Sequence, residues 1–124
     1  PLRNTTDVVN CINLLDKQTD IVVTISETSR NPFFNMVHKE EDYIKLLIEG
    51  EKSYSRRQDV PLAYDMTTVA YVAHSDFIKN NNKIFDGRVK AALIPKERSV
   101  DIDDEIDFKM AKLLMKERQE KANA

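Results

Sequence analysis

The chain has 124 residues, of which 41% are apolar and 32% charged, and a formal net charge of −2, which fits one domain with a modest core. That balance argues against nucleic-acid binding through phosphates, and no apolar run approaches the ~20 residues of a membrane-spanning helix. The single cysteine, Cys11, has no partner for an internal disulfide, and no signal peptide is visible, so a reducing, cytoplasmic setting is expected.

Asn4-Thr5-Thr6-Asp7 supplies cap-type residues before Val8, Cys11, Ile12 and Leu15, which recur at helical spacing and predict a helix over about Thr6 to Lys17 with Cys11 in its core face. Ile21 to Ser26 is a nearly continuous β-branched run, the pattern of a strand buried on both faces in a parallel sheet. From Glu27 to Tyr64 the chain is charged and less periodic. Phe33 to Val37 and Tyr43 to Ile48 flank the polar turn Lys39-Glu40-Glu41-Asp42 and read as a hairpin, with a helix over Glu41 to Glu51 as the alternative. Phe33-Phe34 on such an arm calls for a cover, and a partner subunit is the simplest one.

Ser53 to Asp59 is a small basic island, either a solvated loop or an anion site built on Arg56 and Arg57. Thr67 to Ala73 reads as a second buried strand, Ser75 to Lys79 as a short helix ended by Asn80-Asn81-Asn82, and Val89 to Ile94 as a third strand stopped by Pro95. A last helix begins near Asp104, with Ile106, Met110, Leu113 and Leu114 as its buried stripe, Lys109, Lys112, Lys116, Glu117 and Arg118 facing water, and a tail from Gln119 that frays. The order α-β-insert-β-α-β-α is half of a layered α/β domain. An unpaired sheet edge is expected near the first strand, bare or covered by another chain.

Between the third strand and the last helix lies Arg98-Ser99-Val100-Asp101-Ile102-Asp103-Asp104-Glu105-Ile106-Asp107, in which five of the last seven residues are acids. Two readings stand. Acids at a helix start serve capping and the macrodipole, which accounts for Asp103 to Asp107. Asp101 precedes the helix and faces Asp103 with like charge, which calls for a positive group nearby. A hard cation takes one or two carboxylates plus water and substrate phosphates, and Asp101 and Asp103 alternate as such ligands would. Elsewhere the chemistry is sparse. There is no P-loop, two glycines cannot make a dinucleotide fingerprint, zinc lacks a cysteine pair, and His38 and His74 read as loop or surface residues.

Pro1-Leu2-Arg3, Arg57-Gln58-Asp59-Val60-Pro61, Ala70-Tyr71-Val72 and Ser99-Val100-Asp101-Ile102-Asp103 with Glu105 and Asp107 together resemble the acylneuraminate cytidylyltransferases, the CMP-sialic acid synthetases and their relatives acting on other nonulosonic acids. The resemblance covers residues 1–124 and corresponds to the C-terminal half of that family's domain. It implies a layered α/β/α, Rossmann-like nucleotidyltransferase fold, with an inserted dimerisation arm over 30–64 and the CTP-phosphate loop in an N-terminal half that would precede Pro1.

The same resemblance implies transfer of CMP from CTP to a nonulosonic sugar with release of pyrophosphate, and a homodimer. Asp101 and Asp103 would hold Mg²⁺ or Mn²⁺, and Arg57, Tyr71, Phe85, Thr67 and Arg3 would be substrate-site residues. Thr67 stands where sialate enzymes commonly have asparagine. Asp65 replaces an arginine and Phe34 a lysine of the sialate-specific members, so the resemblance leans to the legionaminate-type branch, with Ala63-Tyr64-Asp65-Met66 in support. The alternatives are a nucleotidyltransferase for another sugar, such as a keto-deoxyoctonate, or an inactive fragment or dimerisation module.

Overall fold

The computed structural model describes residues 2–50 and 53–124. Pro1, Glu51 and Lys52 lie outside the described residues, and with them the first residue of the Pro1-Leu2-Arg3 motif and the end of the alternative helix over Glu41 to Glu51. The chain divides into two compact units, one formed by Pro1–Ser26 with Met66–Ala124, the other by Glu27–Asp65.

In the first unit, helix α1 spans Thr5–Leu14, and the Asn4 side chain caps it by accepting from the Thr6 amide. The helix stops short of Lys17. The Asp16 carboxylate takes the Gln18 amide at 2.9 Å and the Thr19 hydroxyl at 2.7 Å, a local turn that competes with continued helix.

Strand β1 (Ile21–Glu27) is the centre of a three-stranded sheet, between the strands Tyr64–Ala73 and Val89–Leu93. It runs parallel to the latter, with Ile21 opposite Val89 and Ile25 opposite Leu93. On its other side, the His74 amide donates to the Asp20 carbonyl and the Ala70 amide to the Thr24 hydroxyl, so that strand runs in the opposite sense. The sheet is therefore mixed. The expected edge at the first strand is not there, since β1 is paired on both sides, and this central position is what buries Ile21, Val22, Val23 and Thr24 together. Cys11, Val22 and Ala92 form the core against α1, with Leu15, Ala70 and Val72 packed around them, so Cys11 is a core residue as read.

The second unit carries the hairpin that the sequence indicates. Strands β2 (Val37–Glu40) and β3 (Tyr43–Leu46) pair antiparallel, Val37 with Leu46 and Glu40 with Tyr43. The two-residue connection needs a left-handed residue, which Glu41 provides at φ 52°. The alternative helix does not form. Phe33 and Phe34 are half-buried, and Phe33 meets Tyr54 edge-on at 6.3 Å, so part of the cover comes from this unit itself. Asn31 organises the neighbouring turn: its side chain donates to the Pro61 carbonyl and accepts from the Phe33 amide.

After the hairpin come β4 (Tyr64–Ala73), helix α2 (Ser75–Asn80), β5 (Val89–Leu93) and helix α3 (Glu105–Ala122). The C-terminal helix corrects two expectations. It continues through Ala122 instead of fraying from Gln119, and the Asn123 amide closes its last turn on the Gln119 carbonyl. Its inner face is Ala111, Leu114 and Met115, while Ile106, Met110 and Leu113 are exposed, Ile106 at 72%. The helix is turned so that its small residue makes the close approach. Arg118 is exposed, as expected, and its guanidinium also donates to the Leu2 and Arg3 carbonyls. The result is a mixed α/β architecture with a partly parallel sheet, compatible with an α/β nucleotidyltransferase.

Candidate functional site

The acidic loop is positioned from below by the end of β5. The Ile94 amide still donates to Ile25 at 2.7 Å, then Pro95, which has no amide hydrogen, ends the pairing. A single tight turn, Lys96–Arg98, follows. Arg98 then reaches across to α1 and grips Asp7 at two points, Nε to Oδ2 and Nη2 to Oδ1, both at 2.8 Å. Asp7 is only 1% exposed. Its carboxylate raises the Arg98 pKa through that hydrogen bonding, which keeps the guanidinium charged.

Beyond this anchor, Arg3 donates to the Arg98 carbonyl at 3.0 Å and to the Thr68 hydroxyl at 3.4 Å. Thr68 in turn donates to Asp101 Oδ2 at 3.1 Å. The positive group that Asp101 called for is thus Arg3, one hydroxyl removed. A cavity of about 190 Å³ borders Arg3, Asp101 and Ile102. A larger one, about 410 Å³, lies between Leu2, Arg98, Leu114 and Arg118. It mixes Arg98, Arg118 and Lys121 with Glu97 and Glu117, and so has no strong preference for either sign of ligand.

Of the two readings of the acidic loop, capping falls on Asp104 and Asp107. Asp104 is the N-cap of α3 and accepts from the Asp107 amide at 2.9 Å, while the Asp107 carboxylate accepts from the Asp104 amide at 3.2 Å, a complete capping box. Asp103 contributes to this only through its amide, which also donates to Asp107. The side chains of Asp101 and Asp103 stay exposed before the helix. Among the described residues no group of three or more potential ligands gathers. Two accessible carboxylates do fit a hard cation that completes its shell with water and substrate phosphates.

The remaining candidates are dispersed. Thr67 is 7% exposed, and its hydroxyl donates to Thr24 at 2.7 Å within the sheet. Tyr71 is exposed on β4, and Phe85, 74% exposed, stands on the tight turn Ile84–Asp86. Arg57 belongs to the second unit, where it opens the turn Arg57–Asp59 of the basic island and donates to the Ser29 carbonyl at 2.8 Å. It borders a cavity of about 290 Å³ with Arg30 and Asn31. His74 contacts the Asp16 carbonyl, and His38 lies 3.8 Å from Glu40.

Of the candidates, the structure joins Arg3 to Asp101 through Thr68. Neither Thr68 nor the Asp7–Arg98 pair was singled out in the sequence. Thr67 and Thr68 are chemically identical neighbours, and only the alternation along a strand whose register is known tells them apart.

No family model matches the chain. Three curated relatives do. One is a protein of Campylobacter coli named post-translational flagellin modification protein B, 29% identical over 119 residues, covering 95% of this chain and 50% of that protein. The second is a Campylobacter jejuni protein named CMP-N,N'-diacetyllegionaminic acid synthase, 29% identical over 94 residues, or 76% of this chain and 39% of that protein. The third is an N-acylneuraminate cytidylyltransferase of Streptococcus agalactiae, 28% identical over 89 residues, or 72% of this chain and 21% of that protein. The chain therefore spans half or less of the length of these relatives. The names of the last two agree with the resemblance carried by the motifs around Arg57, Tyr71 and Asp101, and the chain is similar to cytidylyltransferases of the acylneuraminate (CMP-sialic acid synthetase) type, with a legionaminate-type relative among its matches.

Proposed function

We propose that this chain forms the C-terminal part of a cytidylyltransferase that transfers CMP from CTP to a nonulosonic sugar of the legionaminate type. The observation that carries the reading is the separation of Asp101 and Asp103 from the capping box. Asp104 and Asp107 satisfy the helix start, so two further carboxylates stand accessible with no capping duty. In the reaction, the anomeric hydroxyl oxygen of the sugar forms a bond to the α-phosphorus of CTP. The bond to the bridging oxygen breaks, pyrophosphate leaves, and the hydroxyl proton passes to a base. Asp101 and Asp103 would hold Mg²⁺ or Mn²⁺, which when bound supplies charge neutralisation and polarisation at the phosphate.

Arg57 would steady an anionic group of the substrate, and Tyr71 and Phe85 would offer the sugar an amphipathic wall, in keeping with their exposure. Thr67 is the weakest of the proposed contacts, since its hydroxyl is engaged inside the sheet. Asp65 and Phe34, in place of two cationic residues, favour a sugar other than plain N-acetylneuraminate. The relatives' names support an enzyme over a module whose sole role is dimerisation. The second unit, with Tyr43, Ile44 and Leu62 exposed, suits the arm of a homodimer, which sedimentation of a Leu62→Asp, Ile44→Asp variant as monomer would support and an unchanged mass would refute.

The deciding experiment is pyrophosphate release by the full-length protein with CTP, Mg²⁺ and a panel of nonulosonic acids. Release with a diacetyl-legionaminate-type sugar and not with N-acetylneuraminate is the expected result. Release with a keto-deoxyoctonate alone would reassign the acceptor, and no release with any sugar would overturn the reading.

A further inference from the structure

A carboxylate on an exposed loop is a poor ligand unless something holds its orientation, and groups that ligate metals are themselves usually hydrogen-bonded. Resting on the reading of Asp101 as a cation ligand, we propose that Thr68 is its positioning residue and that Arg3 fixes Thr68 in that role. Proton accounting gives the direction of the contacts. A threonine hydroxyl has one proton to give and lone pairs to receive. Arg3 can only donate and the ionised Asp101 can only accept. Hence the hydroxyl proton points to Asp101 Oδ2, and the Arg3 guanidinium meets the hydroxyl lone pair.

The line of contacts begins in the interior. Asp7, buried in α1, clamps Arg98; the Arg98 carbonyl holds Arg3; Arg3 holds Thr68; Thr68 holds one oxygen of Asp101. β-Branching limits the rotamers of Thr68 and adds stiffness at the point of contact. Interposing a hydroxyl also matters electrically. A guanidinium bonded directly to Asp101 would compete with a divalent cation for the same carboxylate. One step away, it orients the carboxylate and leaves the second oxygen to the ligand. This is a role for the neighbour of Thr67, whose side chain is exposed on the strand and reaches the acidic loop through that hydrogen bond.

The test is Mn²⁺ binding to the full-length protein, followed by the electron paramagnetic resonance signal of free Mn²⁺, with a thermal melt for every variant. Thr68→Val, which keeps the shape, is expected to weaken Mn²⁺ binding roughly tenfold, at the low end for such contacts, with an unchanged melt. Thr68→Ser restores the hydroxyl and is expected to bind nearly as the parent does. Arg3→Leu gives a second, independent variant, expected to weaken binding in the same direction. If Asp101→Asn weakens binding while Thr68→Val and Arg3→Leu do not, the positioning role is wrong and the ligand reading survives. If Asp101→Asn itself leaves Mn²⁺ binding intact, the ligand reading fails and the positioning role fails with it.

Discussion

Arg98 and Asp7, 91 residues apart, form a two-point ion pair that ties the turn before the acidic loop to the first turn of α1. Because Asp7 is buried, the two partners are unequal. Removing Arg98 strands a carboxylate in the interior, which typically costs about 3–5 kcal/mol, whereas replacing both partners by apolar residues of similar size is far less damaging. Arg98→Met should therefore lower the denaturation midpoint severely, and Asp7→Leu with Arg98→Met should recover much of the loss. Equal destabilisation by the single and double variants would show that packing, not charge, is what the pair supplies.

The acids at the start of α3 make opposite predictions although they are adjacent. Asp104→Ala removes the N-cap acceptor and should cost about 1 kcal/mol, several degrees of melting temperature, with turnover of the refolded enzyme largely kept. Asp103→Asn keeps the amide that donates to Asp107 and should leave the melt alone while sharply reducing turnover at limiting Mg²⁺. Melting curves and pyrophosphate release on both variants check the pair. A shared phenotype would overturn the proposed division between capping at Asp104 and cation binding at Asp103.

Thr24 is buried in the central strand, and its hydroxyl bonds across to the neighbouring strand. It accepts from the Ala70 amide at 3.3 Å and from the Thr67 hydroxyl at 2.7 Å. Thr24→Val preserves shape but takes from the buried Thr67 hydroxyl the acceptor it has at 2.7 Å, a loss of about 1–3 kcal/mol. Thr67→Val in the same background should add little, because the partner hydroxyl is already unsatisfied. Chemical denaturation of the two singles and the double measures this, and strict additivity would contradict it.

The elements were legible where periodicity is strong. The run Ile21 to Ser26, the segment Val89 to Ile94 and the hairpin around Glu41 all appear where their residue patterns put them. The sheet order was not legible, because a fully apolar run signals burial on both faces without saying which strands supply it. Helix α1 was overextended because the apolar pattern reaches Leu15, and the side-chain bonds of Asp16 that turn the chain leave no periodic trace. The stripe on α3 was misplaced because Ala111 carries little hydrophobic weight, although its small size is what admits close packing. Around the site, the sequence exposes the acids but hides Thr68 and Asp7, whose roles depend on residues far away in the chain.

Acid sensitivity should be concentrated at the start of β1. Asp16 is held below the ordinary carboxylate range, first by its hydrogen bond from Lys90 and then by that from Thr19. Asp20 is lowered chiefly by the Arg88 side chain and next by the Arg88 amide. A folded pKa below the unfolded one gives stability that is present above the unfolded value, near 4, and lost as pH falls through the folded value. The melting temperature should thus hold between pH 5 and 7, as ~5–7 lies above both titrations, and fall below about pH 4. Asp16→Asn and Asp20→Asn should flatten that acid limb. A variant lacking both carboxylates with an undiminished acid limb would place its cause elsewhere.

Gly87 tests how tightly that same end of the sheet is packed. It follows the turn Ile84–Asp86, and its φ of −108° is open to any residue, so conformational freedom is not why glycine stands there. Space is the reason. A methyl group at this position would run into the ring of Phe77 and come within 2.9 Å of Asp20 Cβ. Asp20 is held by Arg88, so relief has to come from the Phe77 ring, which would be pushed out of its present place. Gly87→Ala should destabilise by about 1–3 kcal/mol, the usual cost of overpacking. Trimming the ring with Phe77→Leu should recover part of the loss in the double variant, a coupling readable from a double-mutant cycle of denaturation midpoints. A Gly87→Ala protein that melts with the parent would show that this corner has slack which the close approach of Phe77 denies.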